Sequence, residues 1–363
     1  MQPVPEMRFA RTSDGVTIAH QVVGRGPALV WLPSALSHVQ SQWRIPAMRA
    51  AYETLARHLT VVLYDGRGMG GSDRRIDLDD LGIDAHLRDL EAVLDAAGLE
   101  RVSLLGYYQS VATALAFAAR RPERVERLVL FGGAARLAEA VSPAQTQALL
   151  SLVEQDWDLF ADAAATTWLG WETGETARLT AEAFRTSTTA SIAQAWFAAI
   201  RDTDVTPELP KVLAPALVLH RQAERQIPVE VAQRLAGALP HGALVSLPGS
   251  TPTLFIEDLP ADARLVTGFV CDGEVVIPWA GPGGSSSTPA ALPDLLTPRE
   301  AEVLRSLAGG GSNADIARQL GIAVHTVERH LSNLYRKIGA RGRTDAAAYA
   351  LRRGLDCSAG SGD

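Results

Sequence analysis

The chain has 363 residues, 47% hydrophobic and 21% charged, with a formal net charge of −7, a composition that suits a folded globular protein and excludes disordered and fibrous classes. No apolar run approaches the ~20 residues that a membrane helix needs. The opening residues show no basic-then-apolar signal, and Cys271 and Cys357 are too far apart for a disulfide framework or metal-ligand spacing, so a cytoplasmic protein without metal or cofactor is expected.

Along the chain, short β-branched runs alternate with amphipathic helical stretches, the pattern of a parallel sheet with crossover helices. Strands are expected at 28–32, 59–65, 101–106, 125–132, 215–220 and 243–249, and helices at 86–98 and 110–122. Residues 136–205 break the alternation. They are helical in composition and hold Trp157, Trp168, Trp171 and Trp196, four of the seven tryptophans, which marks a helical cap. A Gly-, Ser- and Pro-rich stretch at 277–294 reads as a flexible linker. It divides an α/β domain at 1–276 from a small all-α domain at 295–356 and a tail at 357–363. Charge follows the same division: residues 295–363 carry 10 Lys and Arg against 7 Asp and Glu, while 24 stand against 34 before them, so a basic module follows an acidic body.

In the basic module, Thr297, Pro298 and Glu300 form a capping box with proline at the first helical position. Ser312 with Asp315 repeats the arrangement on a second helix, which Gly321 ends. In a third segment Val327, Leu331, Leu334 and Ile338 make a core-facing stripe, leaving His325, Glu328, Arg329, Ser332, Arg336 and Lys337 on the opposite face. Two capped helices and a third after a tight turn are the form of a helix-turn-helix. From "LTPREAEVLRSLA" through "SNADIA" and "TVERHLSNLYRKI" to the closing alanine-rich helix, the module resembles the LuxR/NarL-type DNA-binding domain. The resemblance implies transcriptional regulation, a homodimer on double-stranded DNA and a fourth helix used for dimer contact. Glu328 and Arg329 are placed to read base edges, and Asn333, Arg336 and Lys337 to contact phosphate; His325, Thr326 and Ser332 complete the DNA-facing set. Two positions depart from the family: Ala323 where a capping serine is usual, and Glu328 where lysine is common.

The stretch "LLGYYQSVATALAFAARRPERV" (104–125) has the order strand, elbow, helix. Together with "VVLYDGRGMGGSD" and "RPERVERLVLFGG" it resembles an α/β hydrolase over about residues 7–270, with a mostly parallel sheet and a helical cap. The G-x-S-x-G elbow of that fold presents a nucleophile. Here Tyr108 stands in the nucleophile's place and Ser110 in that of the second glycine. Glu224 occupies the slot of the triad acid and Pro252 that of the histidine. Tyrosine without a base in reach is a poor acyl-transfer nucleophile, so the expectation is a triad-defective domain that senses a small, largely apolar ligand. The resemblance places amide donors at Gln109 and near Ser34 and Ala35. With Tyr107, Tyr108, Pro252 and the cap residues Trp168, Trp171 and Trp196 these make the expected ligand surface. The alternatives are an active hydrolase with non-standard catalytic residues and a constitutive DNA-binding protein whose α/β frame only mediates assembly.

Overall fold

A computed structural model describes residues 4–140, 150–169, 174–224 and 227–277, then 312–320 with scattered positions between 303 and 346. The chain divides into two compact units, Met1–Ser286 and Ser287–Asp363.

The first unit is built on eight strands: β1 (Arg8–Arg11), β2 (Thr17–Gly24), β3 (Ala28–Trp31), β4 (Thr60–Tyr64), β5 (Val102–Tyr107), β6 (Val125–Phe131), β7 (Ala216–Arg221) and β8 (Gly242–Leu247). Their order across the sheet is β1-β2-β4-β3-β5-β6-β7-β8. The β3–β8 strands run parallel, and the pairs β1–β2 and β2–β4 are antiparallel. All six strands expected from the sequence are present. The antiparallel pair is additional: β1 buries only Ala10 of its four residues, too weak an alternation to announce a strand.

Helices cover both faces, which is why the parallel strands are apolar almost throughout. Val30, Leu104, Leu128 and Val218 point to one face and join α3 and α4 there; Leu29, Leu105, Val129 and Leu217 point to the other. The first helices in chain order are α1 (Val39–Gln42), α2 (Pro46–Leu55), α3 (Ile83–Ala96) and α4 (Ser110–Arg120). Residues 110–118 of α4 are all buried, and its alanines at 112, 114, 116 and 118 let it lie close on the centre of the sheet. The cap consists of α5 (Leu137–Ala140), α6 (Trp157–Leu169), α7 (Gly174–Ser187) and α8 (Ala190–Arg201). It closes over the carboxyl ends of β3 and β4, where Phe160, Ala193 and Trp196 pack on Ala35, Leu36 and Met69. Polar contacts fix this seam: the Gly70 amide donates to the Ser187 carbonyl at 2.6 Å, the Thr188 hydroxyl to the Gly68 carbonyl at 2.7 Å, and Arg74 to the Thr186 carbonyl at 2.7 Å. Two further helices, α9 (Val229–Ala238) and α10 (Leu259–Asp272), complete the layers.

In the second unit, α11 (Asn313–Leu320) begins with the expected capping box. The Asp315 amide donates to Ser312 Oγ at 3.3 Å, and the Ser312 amide donates to Asp315 Oδ2 at 3.0 Å. Val327, Leu331 and Leu334 of the predicted stripe share one buried cluster with Val303, Leu307 and Ile316. Ile338, the cap at Thr297, the residues of the linker from 278 on and the tail lie outside the described residues.

Candidate functional site

The turn from β5 into α4 is as sharp as a nucleophile elbow requires. Tyr108 sits there at φ 49, in the left-handed region that non-glycine residues rarely adopt. Its amide donates to the Phe131 carbonyl at 3.0 Å, and its carbonyl accepts from the Val111 amide at 3.1 Å. Ser110 braces the turn from within: its Oγ accepts from the Tyr107 amide at 2.9 Å and donates to the Tyr107 carbonyl at 3.0 Å. That double bond to the backbone makes Ser110 a cap of the elbow. Room for the turn comes from the glycines after β6. A Cβ on Gly133 would lie 2.3 Å from the Tyr108 carbonyl oxygen, and one on Gly132 would lie 3.2 Å from the Tyr108 ring.

Both phenols of the elbow end on one acceptor. The Tyr108 hydroxyl donates to the Pro252 carbonyl at 2.6 Å and the Tyr107 hydroxyl to the same oxygen at 3.0 Å, while Tyr107 also accepts from the Leu254 amide at 3.2 Å. Tyr107 stacks on Phe131 at 5.4 Å and meets Tyr108 edge-on at 5.0 Å. Burial pushes both phenol pKa values up, and Glu224 raises them further. The loop that carries Pro252 is pinned from below. Buried Arg221 donates to Asp262 at 2.6 Å and to the Pro248 carbonyl at 2.9 Å, and Asp262 accepts the Phe255 amide at 2.9 Å. Glu257 accepts the amides of Ser250 and Thr251 at 3.1 Å each. The nearby His220 is buried, with Nε2 2.9 Å from the Ile227 carbonyl.

A cavity of about 40 Å3 opens on the other side of the elbow, between the cap and the sheet. Its walls include Ser34, Ser37, Tyr64, His86, Gln109 and Trp196. His86 and Trp196 link α3 to α8: the indole N–H donates to His86 Nε2 at 3.2 Å. Asp89, one turn along α3, also lines the cavity and is buried. It accepts from Arg67 Nε at 3.0 Å, from Nη2 at 2.9 Å and from the Arg67 amide at 3.0 Å. Burial pushes the Asp89 carboxyl up to about 6 although Arg67 opposes the shift. Burial also pushes the His86 imidazole down to about 4, with Arg67 adding to the effect.

Of the expected ligand residues, Ser34, Gln109 and Trp196 meet at this cavity. Ala35 is buried beside it, in the cluster joining cap to sheet. Tyr107, Tyr108 and Pro252 do not line it, because both phenols turn to the Pro252 carbonyl instead. Trp171 lies outside the described residues, as does the side chain of Trp168. The eight expected DNA-facing residues, His325, Thr326, Glu328, Arg329, Ser332, Asn333, Arg336 and Lys337, lie outside them too. Sequence reasoning missed Ser37, Tyr64, His86 and Asp89. The available signal was His86 and Asp89 at i and i+3, two polar residues on one turn of a helix that also buries Leu90 and Val93.

The His86 shift sets a direction for stability. Its folded pKa, about 4, lies below the ordinary 6.5. The unfolded chain therefore takes up a proton first, and this group's contribution is complete above 6.5 and lost as pH falls towards 4, at up to about 1.4 kcal/mol per unit. Asp89 acts in the opposite sense, its raised pKa favouring the fold as pH falls below about 6. A comparison of chains isolates the histidine: His86→Phe is expected to lose less stability than the wild type between about pH 7 and about pH 4.5 in urea unfolding. Equal losses in the two chains would remove His86 from the account.

An eight-stranded, mostly parallel sheet with an elbow at its centre and a helical cap over its strand ends defines the α/β-hydrolase class of fold. The chain belongs to the alpha/beta hydrolase fold family, whose model matches residues 32–259, and its residues 294–350 match that of the bacterial regulatory proteins of the luxR family. A putative carbamate hydrolase, RutD, of Caulobacter sp. (strain K31) is 28% identical over 242 residues, covering 64% of this chain and 87% of that protein. The CsgBAC operon transcriptional regulatory protein of Escherichia coli (strain K12) is 50% identical over 62 residues, 16% of this chain. The match spans 29% of that regulator's length. Among solved structures, the enol-lactonase from Burkholderia xenovorans LB400 superposes with a TM-score of 0.61 at 23% identity, covering 72% of this chain and 99% of that one, a likeness of fold. The chain is thus a hydrolase-fold domain joined to a LuxR-type regulatory domain, and among the described residues no helix is long and apolar enough to cross a membrane.

Proposed function

We propose that the chain is a cytoplasmic transcriptional regulator whose hydrolase-fold domain, residues 1–276, binds a small, largely apolar molecule without cleaving it. The linker at 277–294 passes that occupancy to the DNA-binding domain at 295–356. The observation that carries the reading is the 2.6 Å hydrogen bond from the Tyr108 hydroxyl to the Pro252 carbonyl. A serine hydrolase needs a hydroxyl paired with a histidine that takes its proton. Here a phenol and a backbone carbonyl, which takes no proton, hold those two places. The cavity beside them supports a binding role, and the LuxR-type domain supports DNA as the partner.

Regulation follows as a population shift. A ligand that stabilises one arrangement of cap and sheet changes the geometry of a homodimer on DNA and hence the fit of its two recognition helices. Selection from a pool of random duplexes yields the operator, and fluorescence anisotropy then measures its affinity with and without saturating small ketones, esters and lactones. At least one probe is expected to move the operator Kd by about 5- to 150-fold, the range of ordinary allosteric coupling. An operator affinity that stays constant while the cavity is occupied overturns ligand control.

A further inference from the structure

The cavity under the cap is lined by polar side chains besides the elbow amide that a hydrolase of this fold would use. Ser37 is 2% exposed, lines the cavity, and has a buried hydroxyl with no hydrogen-bond partner among the described residues. An unmade bond of this kind costs about 1–3 kcal/mol, and folded proteins rarely keep one. His86 supplies a second donor. The indole of Trp196 can only donate, so His86 Nε2 accepts and the neutral ring carries its hydrogen on Nδ1. Gln109, at the start of α4, and Tyr64 lie in the same wall, and the amide that the hydrolase fold places at Gln109 would be a third donor.

The charges at the site point in one direction. Among the described residues no lysine or arginine lines the cavity, and Arg67 behind it is already bound to Asp89 at 2.9 Å and to Asp14 at 2.8 Å. Among the described residues the charged one in the wall is Asp89, a carboxylate that is 1% exposed. An entering anion would lose its hydration, gain no free cation and face a buried negative group. An uncharged acceptor oxygen meets the same donors without that penalty. We infer that the cavity is a binding site for a small uncharged carbonyl compound, held by Ser37, His86 and the Gln109 amide, and that it rejects the corresponding carboxylate. This rests on the reading of the domain as a binder that does not cleave.

The test is ligand-observed NMR (saturation-transfer difference) on the full-length protein at neutral pH. The probes are γ-butyrolactone and 4-hydroxybutyrate, the open-chain acid of the same carbon skeleton. The lactone is expected to bind at least about ten-fold more tightly than the acid, a difference of roughly 1.4 kcal/mol. Ser37→Ala removes one hydroxyl without disturbing any protein hydrogen bond and should weaken the lactone about three- to ten-fold. His86→Asn, which keeps a donor near the Nδ1 position, should retain more affinity than His86→Leu. Acid binding as tight as the lactone, no lactone signal, or unchanged affinity in Ser37→Ala would each overturn the inference. Lactone binding that behaves as expected but leaves the operator Kd unmoved overturns only the proposed regulation. Conversion of the lactone to the acid during the experiment would overturn the non-cleaving reading beneath it.

Discussion

Purified full-length protein is expected to hydrolyse 4-nitrophenyl acetate and butyrate at no more than about a millionth of the rate of a working serine hydrolase, and Tyr108→Phe should leave that rate unchanged. In a serine hydrolase, removal of the triad costs about a million-fold in kcat. The residual thousand- to ten-thousand-fold over water comes from the oxyanion donors and from binding. The present elbow keeps the backbone geometry and carries a phenol at its apex. Its phenol is pushed away from ionisation by burial and by neighbouring Tyr107 and Glu224, and its hydroxyl proton is directed at a carbonyl. Turnover well above this level that disappears with the phenol oxygen would make the domain an unconventional enzyme, and the binding reading would be lost.

The second large effect is on stability. Asp262→Ala strips the partner from Arg221, whose side chain is 1% exposed and lies 2.6 Å from the carboxylate. Removing one member of a buried ion pair costs about 3–5 kcal/mol, and Glu257, 3.9 Å from Arg221 Nε and partly exposed, compensates the remaining charge only in part. In a unit of this size that lowers the melting temperature by roughly 10 °C, at about 2–4 °C per kcal/mol. The Phe255 amide would lose its acceptor as well, and with it one anchor of the loop that carries Pro252. A double variant with apolar residues at both positions, Arg221→Met with Asp262→Leu, should recover much of the loss, because it leaves no fully buried charge unpaired, the partly exposed Glu257 keeping contact with water. Thermal unfolding of the two variants decides this: if Asp262→Ala melts within about 2 °C of the wild type, the pair does not hold the loop.

Much of this architecture is legible in the sequence, for reasons particular residues make plain. The central strands are buried on both faces, so runs such as Leu104 and Leu105, or Val129 and Leu130, appear as unbroken apolar segments. The elbow is readable from the strand–elbow–helix order and its resemblance to a hydrolase, and the structure adds that Gly132 and Gly133 stand where a ring and a carbonyl come close. Short edge strand β1 leaves no such trace, with one buried residue in four. The site was half legible. Ser34 and Gln109 follow from the resemblance to the hydrolase fold, whereas Ser37, Tyr64 and His86 converge only through tertiary packing of a loop, a strand end and a crossover helix. Nor does a tyrosine in a sequence reveal which acceptor its hydroxyl will choose. The turn of both elbow phenols towards the Pro252 loop, away from the cavity, depends on the path that Arg221, Asp262 and Glu257 impose on that loop.

That shared acceptor is main chain, not side chain. Replacement of Pro252 by histidine would reinstate an imidazole and still leave a carbonyl for the two phenols to grip. Replacement of Tyr108 by serine alone would open a void beside Gly132 and leave the new hydroxyl with no base. Neither substitution alone would pair a serine hydroxyl with an imidazole. A hydroxyl paired with an imidazole at this elbow would therefore take substitutions on two separate loops at once, together with a new course for the chain at residue 252.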